Sequence, residues 1–185
     1  MRPIVGYTVL TNGDVPLGAD GIAYTYRLAA GGVFVTSENA CLQATIPVAT
    51  GAIRGLQATY PGVELPHGRI PHALWQAILA IGQEAASEQR EVLCEVSWLP
   101  EQRYALHQPR QLAGVSALAY ERQDRALLQL HIHHRMPAFF SATDDRDEQG
   151  LGLYGVVGRL GVPGQQPDVL LRVGVYGHYQ TLPWA

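Results

Sequence analysis

The sequence predicts an α+β fold, on three observations. Short apolar runs bounded by Gly, Asn and Pro recur over most of the chain, one long stripe at helical spacing follows Pro71, and the runs after that helix alternate like half-buried strands. At 185 residues, with 47% hydrophobic and 16% charged residues, the chain is long enough to bury a real core. We expect a β-rich N-terminal region over residues 1–68 and a main α+β domain over residues 69–185.

In the first region Tyr7-Thr8-Val9-Leu10 runs into Asn12-Gly13, a hairpin signal. A second apolar run, Ile22 to Leu28, reaches Gly31-Gly32 and then Val33-Phe34-Val35-Thr36, which reads as another strand. No catalytic constellation shows here. A core helix is expected next, with Pro71 near its first turn and Leu74, Ala77, Ile78, Ile81 and Ala85 on one face.

Glu91-Val92-Leu93-Cys94-Glu95-Val96-Ser97-Trp98 reads as a strand, with Glu91, Leu93, Glu95 and Ser97 on one side. Tyr104 to His107 and Val115 to Tyr120 are further strands. In a strand ending at His131-Ile132-His133, Leu128, Leu130 and Ile132 turn to one face, while His131 and His133 stand together on the other. Residues 150–158 and 169–176 read as two more strands, joined through Gly161-Val162-Pro163-Gly164.

Composition narrows the function classes. A net charge of −3 gives no electrostatic reason to expect nucleic-acid binding. No run of apolar residues is long enough to cross a membrane, and the N-terminus reaches Thr11-Asn12-Gly13-Asp14 before a signal-peptide core could form, so a cytoplasmic protein is expected. Cys41 and Cys94 are the only cysteines, too few for a disulfide framework or a paired-cysteine metal site. All 13 basic residues are arginine, which fits a GC-rich genome.

The chemistry concentrates between His131 and Asp144. Two imidazoles at that spacing can share one ion, and a third ligand makes an open catalytic site of three protein groups plus water. Asp144 can be that ligand if the chain turns at Pro137 and starts a helix facing back to the strand end. Each half also has a structural explanation: a His pair on a strand is often a solvated or hydrogen-bonded pair, and Ser141-Ala142-Thr143-Asp144 is an ordinary helix start.

The pattern His131-x-His133, seven residues, Ser141-x-x-Asp144 resembles the signature of the JAB/MPN, or JAMM, metalloprotease family. The wording from His133 to Glu148 is similar to the subgroup called PRTRC system protein A, whose bacterial gene cassettes also hold ParB-related and ThiF-related proteins. The resemblance covers roughly residues 69–185 and is specific in the motif. The family usually has Ser or Thr between the histidines and Pro after them, whereas this chain has Ile132 and His134.

The resemblance implies a JAB/MPN-like curved mixed sheet flanked by helices and a zinc ion (Zn2+) held by His131, His133 and Asp144. It also implies a glutamate on the strand after the first helix as proton carrier, for which Glu91 is favoured by position and Glu95 held in reserve, and Ser141 as oxyanion donor. The implied activity is zinc-dependent peptidase or isopeptidase cleavage at the C-terminal tail of a ubiquitin-like protein, with a ThiF-like activating protein in the same system. The alternative is a non-catalytic JAB-like scaffold that binds partners.

Overall fold

A computed structural model describes residues 1–13, 15–113, 118–120 and 126–184. The chain divides into two compact units. The first holds Met1–His67, Glu148–Leu151 and Val173–Gln180; the second holds Gly68–Asp147, Gly152–Arg172 and Thr181–Ala185. The first break falls one residue before the expected boundary. Two short stretches of the expected main domain, 148–151 and 173–180, group with the first unit.

The N-terminal segment forms β1 (Val5–Val9), β2 (Leu17–Ala19), β3 (Tyr24–Ala29), β4 (Gly32–Glu38), β5 (Gln43–Thr50) and β6 (Gly62–Glu64). They make one mixed sheet in the order β2-β1-β3-β4-β5-β6, with β1 parallel to β3 and the other pairs antiparallel. The Asn12-Gly13 signal is answered differently from expectation: β1 and β2 do pair, but Val9 meets Leu17, so the connection is wider than a two-residue turn. The tight turn lies instead at Ala30-Gly31, between the paired Ala29 and Gly32. Ala44 and Ile46 of β5 and Leu42 just before it are fully buried, and Leu10, Ala29 and Phe34 form a core cluster.

The second part of the chain opens with α1 (His72–Ser87), preceded by Pro71 in extended geometry as its cap. The expected stripe is the buried face, centred on Ile78 and Ala85, but its closest approach is at Gly82. A methyl group there would sit 2.4 Å from Leu160 Cδ2 and 3.1 Å from Ile132 Cδ1. The absent side chain is what lets the helix lie against the strand that carries the histidines.

After α1 come β7 (Val92–Leu99), β8 (Arg103–His107), β9 (Gln111–Ala113), β10 (Leu118–Tyr120), β11 (Leu128–Ile132), α2 (Ala142–Asp147), β12 (Leu151–Gly158), β13 (Asp168–Val175) and β14 (His178–Leu182). Strands β9 and β10 form a small antiparallel pair; the part of the Val115–Tyr120 expectation before Leu118 lies outside the described residues. The main sheet has the order β14-β13-β12-β11-β7-β8. It is mixed: β11 is antiparallel to β7 and parallel to β12. Among the described residues, two six-stranded mixed sheets, one two-stranded pair and two helices make a mixed, strand-dominated α+β protein. Strand β14 was not expected from the sequence. Tyr176 and Gly177, both at positive φ, make the two-residue turn that β13 and β14 share.

The parallel pairing of β11 with β12 positions the site. Antiparallel neighbours can be joined by a tight turn, but a parallel neighbour requires the chain to travel back to its starting end. Residues 133–150 make that crossover, and α2 lies within it.

Candidate metal centre

Period-two alternation in β7 and β11 builds the floor of the site. Leu128, Leu130 and Ile132 are buried on one face, while Gln129 and His131 point to the other, with His133 continuing their line. The antiparallel register puts His131 opposite Leu93 and Gln129 opposite Glu95. Glu91 lies just before β7 and continues the same line of residues toward His133.

The ligand atoms of Glu91, His131 and His133 all lie within 4.8 Å of one another. Glu91 Oε2 is 3.1 Å from His131 Nε2. The two imidazoles meet edge to face, with ring centroids 4.8 Å apart. Glu91 and His133 are buried, while the His131 side chain keeps 20% exposure, so the cluster is dry on one side and open on the other.

His133 Nδ1 donates to the carbonyl oxygen of Pro137 at 2.9 Å. Because a carbonyl can only accept, this bond places the proton on Nδ1 and leaves Nε2 with its lone pair, the state in which an imidazole binds a metal. Burial lowers the His133 pKa, and the neighbouring His131 pushes it the same way, against the Pro137 bond. Phe139 covers one side of the ring at 5.1 Å between centroids and is itself nearly half exposed.

Asp144 stands on the other side of His131, with Oδ1 3.6 Å from Nδ1. Its second oxygen accepts the Ser141 backbone N–H at 2.5 Å, while Ser141 Oγ accepts the backbone N–H groups of Thr143 and Asp144 at 3.2 Å each. This is a reciprocal capping box with an aspartate in the usual Glu or Gln place. The expected Ser141 and Asp144 are thus adjacent and hydrogen-bonded, with Ser141 oxygen engaged as the helix cap. Of the two candidate glutamates, Glu91 joins the histidines. Glu95 is four residues further along β7, fully buried, and accepts from Gln129 Nε2 at 2.9 Å.

The electrostatics follow from this placement. Burial alone would lower the His131 pKa, but the acidic side chains of Asp144 and Glu91 beside its ring outweigh it and raise it to about 9. Burial would raise the Asp144 carboxyl, yet His131 and the Ser141 N–H hold it down to about 2. His131 thus stands between two acidic side chains, one at each ring nitrogen. A dication answers the same field, and two imidazoles with carboxylates form a nitrogen and oxygen donor set that suits zinc among other divalent ions. The residues present fit a metal ion.

Two further contacts escaped the sequence reading. The Pro137 carbonyl is a backbone group brought to His133 by the turn. Arg172 of β13 reaches Phe140 and Asp145; its only sequence trace is a lone charge inside the apolar run Val169 to Val175. Compared with protein-family models and with curated proteins, the chain matches none.

Proposed function

We propose that the chain is a metal-dependent hydrolase of JAMM type, cleaving an amide bond at the C-terminal tail of a ubiquitin-like protein. The observation that carries the hydrolase reading is the convergence of Glu91, His131 and His133, two of them buried and His131 partly exposed. The choice of substrate rests on the resemblance of the His131 to Asp144 motif, as does the expectation of a ThiF-like partner.

In this reading His131, His133 and Asp144 hold the ion. A bound zinc ion supplies a Lewis acid that lowers the pKa of a water to about 7. Glu91, shielded from solvent and facing the histidines, would take a proton from the attacking water and hand it to the leaving nitrogen as the C–N bond breaks. Ser141 accepts two backbone N–H bonds and keeps its own hydroxyl hydrogen to give, which it donates to the oxygen that gathers charge. Phe139 offers an apolar wall beside the reacting centre.

Elemental mass spectrometry on protein purified without added metal tests the ligand set. About one zinc per chain is expected in the wild type, lost in Asp144→Ala and kept in Glu91→Ala. The Glu91→Ala protein should lose roughly 10²- to 10⁴-fold in turnover on ubiquitin-like fusions. Metal lost in Glu91→Ala and kept in Asp144→Ala would move Glu91 into the ligand set. A wild type that takes up no metal, even when zinc is offered, overturns the hydrolase reading in favour of the scaffold.

A further inference from the structure

We infer that Arg172 is a positioning residue for the metal centre, gripping the crossover on both sides of Ser141 and Asp144. The inference rests on the metal-binding reading above. Its starting point is a weakness in α2. The helix has six residues, none of them buried. A helix so short has no stability of its own, and a helix that buries nothing is held to the sheet by no apolar face.

Its capping box joins Ser141 to Asp144 within the crossover and does not fix either residue to the sheet. What reaches across from β13 is Arg172. Its side chain is only 8% exposed, and Nη1 donates to Asp145 Oδ1 at 2.7 Å. Its guanidinium carbon lies 3.8 Å from the centre of the Phe140 ring. Phe140 immediately precedes Ser141, and Asp145 immediately follows Asp144. The two contacts therefore bracket the two site residues that the crossover contributes.

The chemistry of the grip calls for arginine. A planar guanidinium stacks on an aromatic face and still offers in-plane N–H groups to a carboxylate, which a compact ammonium does less well. A charge buried in a strand costs desolvation that an aliphatic residue would avoid, and the contacts with Phe140 and Asp145 offset part of that cost. Held by Arg172, Asp144 keeps its carboxylate facing His131.

The experiment uses the full chain and the variants Asp145→Asn, Phe140→Leu and Arg172→Lys. Zinc affinity is read by competition with a chromogenic chelator, geometry by the visible spectrum of the cobalt form, and stability by melting of the metal-free proteins. Supporting-residue changes around a metal weaken its binding roughly 10- to 100-fold. We expect that loss, with an altered cobalt spectrum, in Asp145→Asn and Phe140→Leu while the metal-free melting temperature changes little, and recovery in Asp145→Glu.

Arg172→Lys should behave in the same direction. If it does not fold, the other two variants decide. Wild-type zinc affinity in both Asp145→Asn and Phe140→Leu overturns the positioning role and leaves the metal centre standing. Absence of zinc binding in the wild type overturns the metal reading and this inference with it.

Discussion

His131 sits between Glu91 on one ring nitrogen and Asp144 on the other, and this fixes how the metal-free protein answers pH. A pKa raised from 6.5 to about 9 stabilises the fold fully below 6.5, and the contribution is lost as pH rises through about 9. A pKa lowered from 3.8 to about 2 stabilises above 3.8 and is lost as pH falls through about 2. Both shifts describe largely one contact, so the cluster favours the metal-free fold most between those ordinary values. In chelator-treated protein the melting temperature should fall between pH 6.5 and 9 more steeply for wild type than for Asp144→Asn; equal slopes would contradict it. At this scale much of the site was legible. Strand alternation put His131 and His133 side by side, and position after the helix favoured Glu91 over Glu95. The Pro137 carbonyl and Arg172 were not legible, because each acts through a tertiary contact that no local spacing encodes.

Among the elements, the crossover from β11 to β12 depends on a glycine. A methyl group at Gly158 would lie 2.1 Å from Ala138 N and 2.3 Å from the Pro137 carbonyl carbon. Backbone cannot rotate away as a long side chain can, so the crossover runs where it does because Gly158 leaves the space. Arg159 N–H donates to Met136 O and Gly161 N–H to His134 O along the same seam. Gly158→Ala should cost about 1–3 kcal/mol in urea unfolding. It should also weaken zinc binding by shifting Pro137 away from His133; an unchanged affinity would separate the seam from the site. Helix α1 and the strands β1, β3, β4, β7, β8, β11, β12 and β13 were readable from periodicity and the cap at Ser141 from its spacing to Asp144, whereas β2, β5, β6, β9 and β14 were not expected. That glycines in the 150–158 run can admit a close backbone neighbour was readable, but which segment Gly158 faces was not, since that is set by the packed crossover. The β13–β14 turn at Tyr176-Gly177 escaped for a related reason: positive φ at a tyrosine has no distinctive sequence signal.

For the molecule as a whole, the two cysteines report on different units. Cys41 is partly exposed in the first, while Cys94 is fully buried in β7 of the second, where burial pushes its thiol up to about 12. At pH 8 a thiol reagent should modify Cys41 in the native chain and Cys94 only as the second unit opens, giving one reactive thiol before denaturant and two after. Fast native labelling of Cys94 would contradict the burial. Among the described residues, no helix is long and apolar enough to cross a membrane.

The assignment of residues 173–180 to the first unit bears on how the protein is made. Tyr24 stacks on Tyr176 at 5.0 Å between centroids, and the Tyr26 hydroxyl meets His178 Nε2 at 2.7 Å. A ribosome delivers Tyr24 and Tyr26 152 residues before their partners, which follow only after Glu91, His131, His133 and Asp144 have all been synthesised. Tyr24 and Tyr26 therefore stay without these ring and hydroxyl contacts until the segment 173–180 has been made, so residues of β3 are among the last to find all their native neighbours.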